Sequence, residues 1–343
     1  MEGAYYNGQY LNRLERLGYS QAEIDNKLES TFEEMFYGPE GVRLCHCAGP
    51  DMMYIEDTGN HDVRTEGMSY AMMFCVQMNR QKEFDCLWRW VVTHMYLTEG
   101  ENAGYFAWSC HTDGSKNSDG PAPDGEEFFA MSLFFAANRW GSGEGVLDYA
   151  SWARRILHAC VHKGEEAGSG FPMWNPENHL IKFIPNCEFT DPSYHLPHFY
   201  ELFALWSDEC DRPFWHAAAA ASRQYLRKAC HARTGLSAEY AEYDGRPHRG
   251  DQPDRHDWFF SDAYRTLGNI ALDAQWFGDK DGWAQETAAH IQQFFEEKEH
   301  GQTNGIYLID GTPVEGNALH PVGLLATICL LYTSPSPRDR QKS

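Results

Sequence analysis

A repeat of about 60 residues, carried by pairs of helical segments, is the feature that most constrains the fold of this chain. Five segments that are apolar on most faces begin near residues 66, 125, 193, 259 and 317, so successive starts lie 59, 68, 66 and 58 residues apart. Amphipathic segments separate them. Helices that are apolar nearly all round are buried, whereas amphipathic helices cover them. Such a repeat of helix pairs predicts an all-α toroid or a helical solenoid.

The periodicity predicts ten helices, and signals for strands are few. The expected helices cover residues 20–36, 66–79, 82–97, 125–139, 147–163, 193–208, 212–230, 259–277, 281–298 and 317–331. Ser20 is a candidate N-cap, Pro213 suits a first helical turn, and Gly141 suits a C-terminal stop. Apolar runs at 179–184 and 306–310 predict short hairpin pieces within loops.

Long polar loops precede the apolar helices, whereas short turns follow them. In a toroid these loops gather at one end, where a binding site would be built. A closed toroid of this kind commonly has six helix pairs, and the pattern supplies five. We therefore predict an (α/α)6 toroid that lacks its last helix pair, formed by one domain over residues 1–331. The aperiodic segment at 332–343 is interpreted as a non-native or disordered tail.

The charge balance is strongly acidic, because 28 Lys and Arg residues against 50 Asp and Glu residues give a formal net charge of −22. Nucleic acids and anionic membranes require a basic surface, so neither is an expected partner. No segment approaches the ~20 apolar residues of a membrane span. Ten scattered cysteines and an N-terminal segment without an apolar signal core predict reduced thiols in a cytoplasmic protein.

Polar side chains stand where each long loop meets an apolar helix. These candidate site residues are Glu66, Asp124, Tyr194, Asp262 and His320. A single acid at a helix start is more often a cap or a dipole-stabilised residue than a catalytic group. Five polar residues at equivalent points of a repeat instead favour a shared site at one rim of the toroid.

Two tryptophans near these junctions, Trp108 and Trp258, are candidate walls for stacking sugar rings, although a single tryptophan is more often a core residue. Two carboxylates across a cleft are the minimal equipment of a glycosidase. No nucleophile elbow, zincin, P-loop or dinucleotide motif competes with that interpretation. His158 and His162 share a helix face without an acidic partner pattern, so we predict core or surface histidines. We expect neither a metal site nor a cofactor.

Longer motifs in the chain resemble glycoside hydrolase family 8. They are VRTEGMSYAMM, PAPDGEEFFAMSLFFAANRWG, DPSYHLPHFYELFALW, FSDAYR and ALHPVGL, and the similarity extends over about residues 5–331. The resemblance implies an inverting glycosidase with an (α/α)6 barrel. Within the family, the motifs are most similar to members that release xylose from the reducing end of β-1,4-xylo-oligosaccharides, which would make such oligosaccharides the substrate.

The resemblance also implies a role for each junction residue. Glu66 in RTEGMSY matches the general acid, and Asp262 in FSDAYR matches the general base. Asp124 in PAPDGEE matches an acid that holds and distorts the sugar beside the scissile bond. Tyr194 matches a tyrosine that hydrogen-bonds the nucleophilic water, and His320 matches a residue on the reducing-end side that helps to set exo action. Inversion would require the two catalytic carboxyls to lie ~6.5–9.5 Å apart.

Three alternatives to a xylose-releasing hydrolase stay open at this stage. An endo-acting xylanase, glucanase or chitosanase would belong to the same family. A catalytically idle sugar-binding toroid would keep the fold without the reaction, although both carboxylates are retained here. A sugar isomerase or epimerase would need histidine acid–base pairs in the barrel mouth, whereas this pattern is led by carboxylates.

Overall fold

The computed structural model describes residues 2–10, 12–166, 168–250 and 255–332. Twelve α-helices occur in these ranges: α1 (Ala4–Asn7), α2 (Arg13–Arg16), α3 (Gln21–Tyr37), α4 (Thr65–Gln77), α5 (Gln81–Trp90), α6 (Pro123–Trp140), α7 (Tyr149–His162), α8 (Pro197–Trp206), α9 (Arg212–Ala229), α10 (Arg265–Phe277), α11 (Trp283–Glu299) and α12 (Pro321–Tyr332). A π-helical turn, Val91–Met95, continues α5. All ten predicted helices are present, and the two that sequence analysis missed, α1 and α2, have only four residues each.

The helices form two tiers, which confirms the predicted toroid. The inner helices α4, α6, α8, α10 and α12 contact one another in that order. The outer helices α5, α7, α9 and α11 each pack on the inner helix that precedes them. Local signals fix the helix ends: Ser20 and Glu23 form a capping box at the start of α3, and the N–H of Gly141 bonds to the Ala137 carbonyl at the end of α6.

Large apolar side chains of the inner helices fill the centre of the molecule. Fully or nearly fully buried examples are Met68 and Met72 on α4, Phe129 and Leu133 on α6, and Phe203 on α8. A single cluster connects them with residues from Phe32 to Phe277, and a second one joins α10, α11 and α12. This core holds the starts of the inner helices in fixed relative positions, on which the site described below depends.

Three small antiparallel sheets lie within the loops that connect the helices. Strand β1 (Cys45–Cys47) pairs with β2 (Met53–Ile55), β3 (Val63–Arg64) pairs with β4 (Ser109–Cys110), and β5 (Trp258–Phe259), β6 (Ile306–Leu308) and β7 (Pro313–Val314) follow in that order. Strand β6 confirms the prediction at 306–310. At 179–184 the hairpin piece is present but minimal: Ile181 forms an isolated antiparallel bridge with Trp174, and the N–H of Lys182 donates to the Met173 carbonyl at 2.8 Å. His179 adopts a left-handed conformation with φ of 60° and Pro185 lacks an N–H, so a longer ladder does not form.

Helix α12 reaches Tyr332, so this residue belongs to the helix rather than to the predicted tail. Residues 333–343 lie outside the described residues. Leu324 of α12 is buried, whereas Val322 and Leu325 are exposed. A single domain that lacks a sixth helix pair stays a prediction. Among the described residues, no helix combines the length and the apolar character that crossing a bilayer requires.

Candidate active site

Two helix starts come together to place the first pair of acids. Glu66 lies in the first turn of α4, and Asp124 lies in the first turn of α6. The two helices approach closely because Gly125 has no side chain: a Cβ there would lie 2.5 Å from the Cβ of Thr65. Asp124 is buried and Glu66 is half-buried. The close approach therefore needs glycine at position 125.

Hydrogen bonds attach the loop that carries Trp108 to the same two helix starts. The N–H of Thr65 donates to the Trp108 carbonyl at 3.0 Å, and the N–H of Phe106 donates to Glu126 Oε1 at 2.9 Å. The guanidinium of Arg64 lies 5.1 Å from the centre of the half-buried Trp108 ring. The predicted tryptophan wall is thus held beside Glu66 by its own backbone.

Arg265 is the cation around which the acids gather. Its Nη1 donates to Asp124 Oδ2 at 2.8 Å and to the Tyr70 hydroxyl at 3.0 Å, and its Nη2 lies 3.2 Å from Asp262 Oδ2. Its guanidinium carbon lies 5.5 Å from the centre of the Tyr194 ring. Sequence analysis assigned no role to Arg265, although its spacing of three residues from Asp262 in FSDAYR was the available signal.

Asp262 lies in a 3-10 turn, Ser261–Tyr264, between β5 and α10. Ser261 has φ of 45°, a left-handed conformation that costs about 1–2 kcal/mol for a residue other than glycine. The expected helix start at residue 259 is therefore wrong, and α10 begins only at Arg265. This turn brings Asp262 to the guanidinium that Asp124 also contacts. Strained backbone of this kind is typical of functional sites.

The titration of the acids follows from their burial and from their mutual repulsion. Burial, followed by the charge of Asp124, raises the pKa of Glu66 to about 7, although Arg265 opposes the shift. Burial raises the pKa of Asp124 to about 6, again against the effect of Arg265. Burial also raises the pKa of Asp191, to about 7. Glu66 is consequently protonated over much of the range up to neutral pH.

Tyr194 is fixed by a second set of buried groups. Asp191 Oδ1 accepts from the N–H of Ser193 at 2.6 Å and so caps the 3-10 turn Pro192–Tyr194. The Tyr200 hydroxyl contacts Glu127 Oε1 and lies 3.2 Å from the Tyr194 carbonyl. Burial holds the pKa of Glu127 well above its usual range. Sequence analysis missed Glu127, although two adjacent acids in the apolar helix α6 were a visible signal.

Trp258 and His320 lie at the edges of this arrangement. Trp258 is half-buried, and its Nε1 donates to Glu239 Oε2 at 3.1 Å. Burial raises the pKa of Glu239 to about 7. His320 is exposed at the start of α12, and its ring centre lies 5.8 Å from that of Tyr264, which belongs to the same turn as Asp262.

Comparison with known proteins shows the family of this chain. Residues 19–333 match the profile of Glycosyl hydrolases family 8. The chain belongs to this family. It is 55% identical over 327 residues to a reducing end xylose-releasing exo-oligoxylanase of Halalkalibacterium halodurans, which covers 95% of this chain and 83% of the relative. The exo-oligoxylanase Rex8A of Paenibacillus barcinonensis is likewise 55% identical over 330 residues, covering 95% and 85%.

A solved structure of Rex8A from Paenibacillus barcinonensis, complexed with xylose, superimposes with a TM-score of 0.94. The sequence identity is 52%, and the alignment covers 99% of this chain and 90% of that structure. The family-8 chain is therefore a glycoside hydrolase with the (α/α)6 toroid fold, as the motifs implied.

Within the described part of the chain, one group of side chains with the spacing of metal ligands lies away from these acids. The expectation that His158 and His162 have no acidic partner is wrong, because Asp211, at the start of α9, contacts both. His195 and His198, in contrast, are fully buried, and burial lowers the pKa of each to about 3. His195 contacts Thr190 and Ser222 within the core, at 3.0 and 2.9 Å.

Proposed function

We propose that this family-8 chain hydrolyses β-1,4-xylo-oligosaccharides with inversion and releases xylose from their reducing end. The observation that carries the proposal is a half-buried Glu66 with a pKa of about 7 beside an aspartate pair that shares one guanidinium. Relatives at 55% identity carry the name of that activity. An acid and a base with separated protonation states are what glycoside hydrolysis requires.

Glu66 serves as the general acid. Its raised pKa keeps the carboxyl protonated near neutral pH, so it can donate its proton to the leaving glycosidic oxygen as the bond breaks. The Thr65 hydroxyl, 3.3 Å from Glu66 Oε2, helps to orient the carboxyl. Ionised Glu66 would be unable to protonate the leaving group.

Asp262 serves as the general base that takes a proton from the attacking water. Its Oδ2 lies 3.2 Å from Nη2 of Arg265, which fixes the position of the carboxyl beside Asp124. Within the described residues, no hydrogen bond engages the Tyr194 hydroxyl, which leaves it available to hold that water. The water attacks the anomeric carbon from the face opposite to the leaving oxygen, so the configuration is inverted.

The remaining candidate residues bind the sugar. Asp124, held by Arg265, accepts hydrogen bonds from the sugar ring next to the scissile bond. Trp108 and Trp258 offer flat surfaces for stacking. His320, beside the turn that carries Asp262, limits the reducing-end side to one xylose unit. The reaction needs no metal or other cofactor, because an acid and a base suffice.

Product analysis with xylotriose labelled at its reducing end tests both parts of the proposal. We expect labelled xylose and unlabelled xylobiose as the first products, and NMR should detect the α-anomer at the newly formed reducing end. Labelled xylobiose in the same yield as labelled xylose would indicate endo action. An initial β-anomer would exclude Asp262 as a base. A Glu66→Gln sample provides the matched inactive control.

We propose a cytoplasmic location with short oligosaccharides as substrates and without a nucleic-acid or membrane partner. All ten cysteines, which fall within the described ranges, are free thiols, and six are buried. Free thiols are typical of a reducing compartment. The net charge of −22 disfavours binding to polyanions. Fractionation of the native host with an antibody against the chain tests the location.

A further inference from the structure

A second group of titratable side chains lies on the outer tier, between α7 and the start of α9. His158 and His162 are four residues apart on one face of α7, and Asp211 immediately precedes α9. His158 Nδ1 lies 3.2 Å from Asp211 Oδ2, and His162 Nε2 lies 2.7 Å from Asp211 Oδ1. One ligand atom of each of the three residues lies within 4.8 Å of the other two.

The position of Asp211 has no explanation in the helix that it precedes. Aspartate at the N-cap of a helix normally accepts from the N–H groups of the first turn. The Asp211 side chain makes no such bond to α9, and it is only 1% exposed. Both of its oxygens instead face the two histidines. A buried carboxylate aimed at two imidazoles is the arrangement of a metal-binding site.

Glu165 adds a second feature of metal sites. Its Oε1 lies 2.6 Å from Nδ1 of His162, the nitrogen that does not face Asp211. When a metal ion displaces the proton from Nε2, a hydrogen bond from Nδ1–H to Glu165 keeps the ring in the tautomer whose Nε2 lone pair binds the ion. Carboxylates hold metal-binding histidines in this way and increase their basicity.

We propose that His158, His162 and Asp211 bind one divalent transition-metal ion, for which zinc is the expected representative. Imidazole nitrogens with one carboxylate oxygen suit ions of this class, and a hard ion such as calcium would require more oxygens. Bond lengths of about 2.0–2.2 Å place tetrahedral ligands about 3.3 Å apart. The contact of 3.2 Å joins His158 Nδ1 to Oδ2 of Asp211 and is close to that length, whereas the contact of 2.7 Å joins His162 Nε2 to Oδ1 and has to lengthen by about 0.6 Å. Each histidine faces a different oxygen, so the carboxylate turns on binding to present one of them to the ion.

The ion would have a structural effect rather than a catalytic one. Within the described ranges of the chain, no hydrogen bond or ion pair joins any of the three ligands to the acids of the rim or to Arg265. The ligands instead come from two separate outer helices, so the ion cross-links α7 to α9. An ion that binds only the folded chain raises its thermal stability. The half-exposed His158 leaves one side of the cluster open for a water ligand or for the nearby Cys210 thiol.

Zinc titration of the full chain, freed of any affinity tag and stripped with a chelator, tests the proposal. Isothermal calorimetry should detect one zinc ion per chain with micromolar or tighter affinity. His158→Gln and His162→Gln should each weaken binding by tenfold or more, and the double variant should bind none at this site. His216→Gln is the matched control, because His216 is an exposed α9 histidine that also faces a carboxylate, Glu201, at 3.9 Å.

Cobalt and thermal unfolding give independent readouts on the unaltered chain. Cobalt(II) should give the intense visible bands of a four-coordinate ion, and zinc should raise the melting temperature of the unaltered chain but not that of the double variant. Hydrolytic activity should stay the same with and without zinc. Failure to bind zinc at tens of micromolar, or equal binding by the double variant, would overturn the proposal and leave a hydrogen-bonded network only.

Discussion

Asp191 and Asp211 both have very little exposed surface, yet their pKa values shift in opposite directions. Each is only 2% exposed, and each precedes a helical turn. Burial raises the pKa of Asp191 to about 7, with the charge of Asp262 adding to the effect and Arg265 opposing it. Burial also acts to raise the pKa of Asp211, but hydrogen bonds with His162, Cys210 and His158 outweigh it, and the pKa falls below its usual value.

The comparison teaches that the depth of burial and the supply of hydrogen-bond donors together decide the charge of a carboxyl in this fold, because Asp191 lies deep in the toroid whereas Asp211 lies beside the half-exposed His158. At the rim of the toroid several acids share the cation of Arg265, so some of them keep their protons. On the outer tier Asp211 contacts two histidines, one of which also contacts Glu165. Carboxyls with raised pKa values at the rim suit the acid catalysis proposed above, whereas Asp211, whose pKa is lowered, stays ionised and connects α7 to the start of α9.

The largest expected difference between the two regions concerns activity. Glu66→Gln and Asp262→Asn should each lower kcat by ~10²–10⁴, because general acid or base catalysis is lost. Asp211→Asn should leave kcat unchanged. Steady-state kinetics on xylotriose measure these effects, with circular dichroism to verify folding. Comparable losses in Asp211→Asn and Glu66→Gln would show that the two regions are not functionally distinct.

The pH profile should report the raised pKa of Glu66. General acid catalysis needs the protonated carboxyl, so kcat/KM should fall about tenfold per pH unit above pH ~7, the pKa of Glu66. An acid with an ordinary pKa would instead lose activity above pH ~4.5. A profile recorded between pH 5 and 9 separates the two cases. Activity that stays constant to pH 9 would contradict the assignment of Glu66.

Stability should respond to pH with opposite signs at the two aspartates. Folding raises the pKa of Asp191, so its contribution to stability is present below pH ~4 and is lost as the pH rises through about 7. Folding lowers the pKa of Asp211, so its contribution is present above pH ~4 and is lost as the pH falls through the lowered value.

Two asparagine variants measure this difference in thermal unfolding at pH 5 and pH 8. Asp211→Asn should be less stable than the unaltered chain by about 1–3 kcal/mol at both pH values, since it removes a buried hydrogen-bonded charge. Asp191→Asn should gain stability relative to the unaltered chain between pH 5 and pH 8. Equal stability of Asp211→Asn and the unaltered chain at pH 5, or an Asp191→Asn effect that does not change between pH 5 and pH 8, would refute the contrast between the two sites.

The smallest expected effect concerns sugar stacking. Trp108→Phe should raise KM several-fold, because an aromatic stacking contact contributes about 0.5–1.5 kcal/mol. Trp283→Phe is the control, since Trp283 is also half-buried and also lies against an arginine, Arg227 at 4.8 Å, but belongs to the outer helix α11. Equal KM values for both variants would mean that Trp108 does not contact the substrate.

Much of the fold was predictable because helical periodicity is a local property. Segments such as EGMSYAMMFCVQM, in which most positions are apolar, predict the inner helices. The starts of α8 and α10 were not predictable to the residue. There, prolines and the left-handed Ser261 replace the first helical turn with 3-10 turns that tertiary contacts hold in place.

The sequence by itself determined the repeat, the order of inner and outer helices, and the placement of Glu66, Asp124 and Asp262 at loop–helix junctions. Only the tertiary structure decided that Arg265 links Asp124 to Asp262 and that Asp211 meets His158 and His162. These contacts join residues 3 to 141 positions apart. Charge states depend on the distances between such groups and on their shielding from water, and neither quantity is encoded in local sequence spacing.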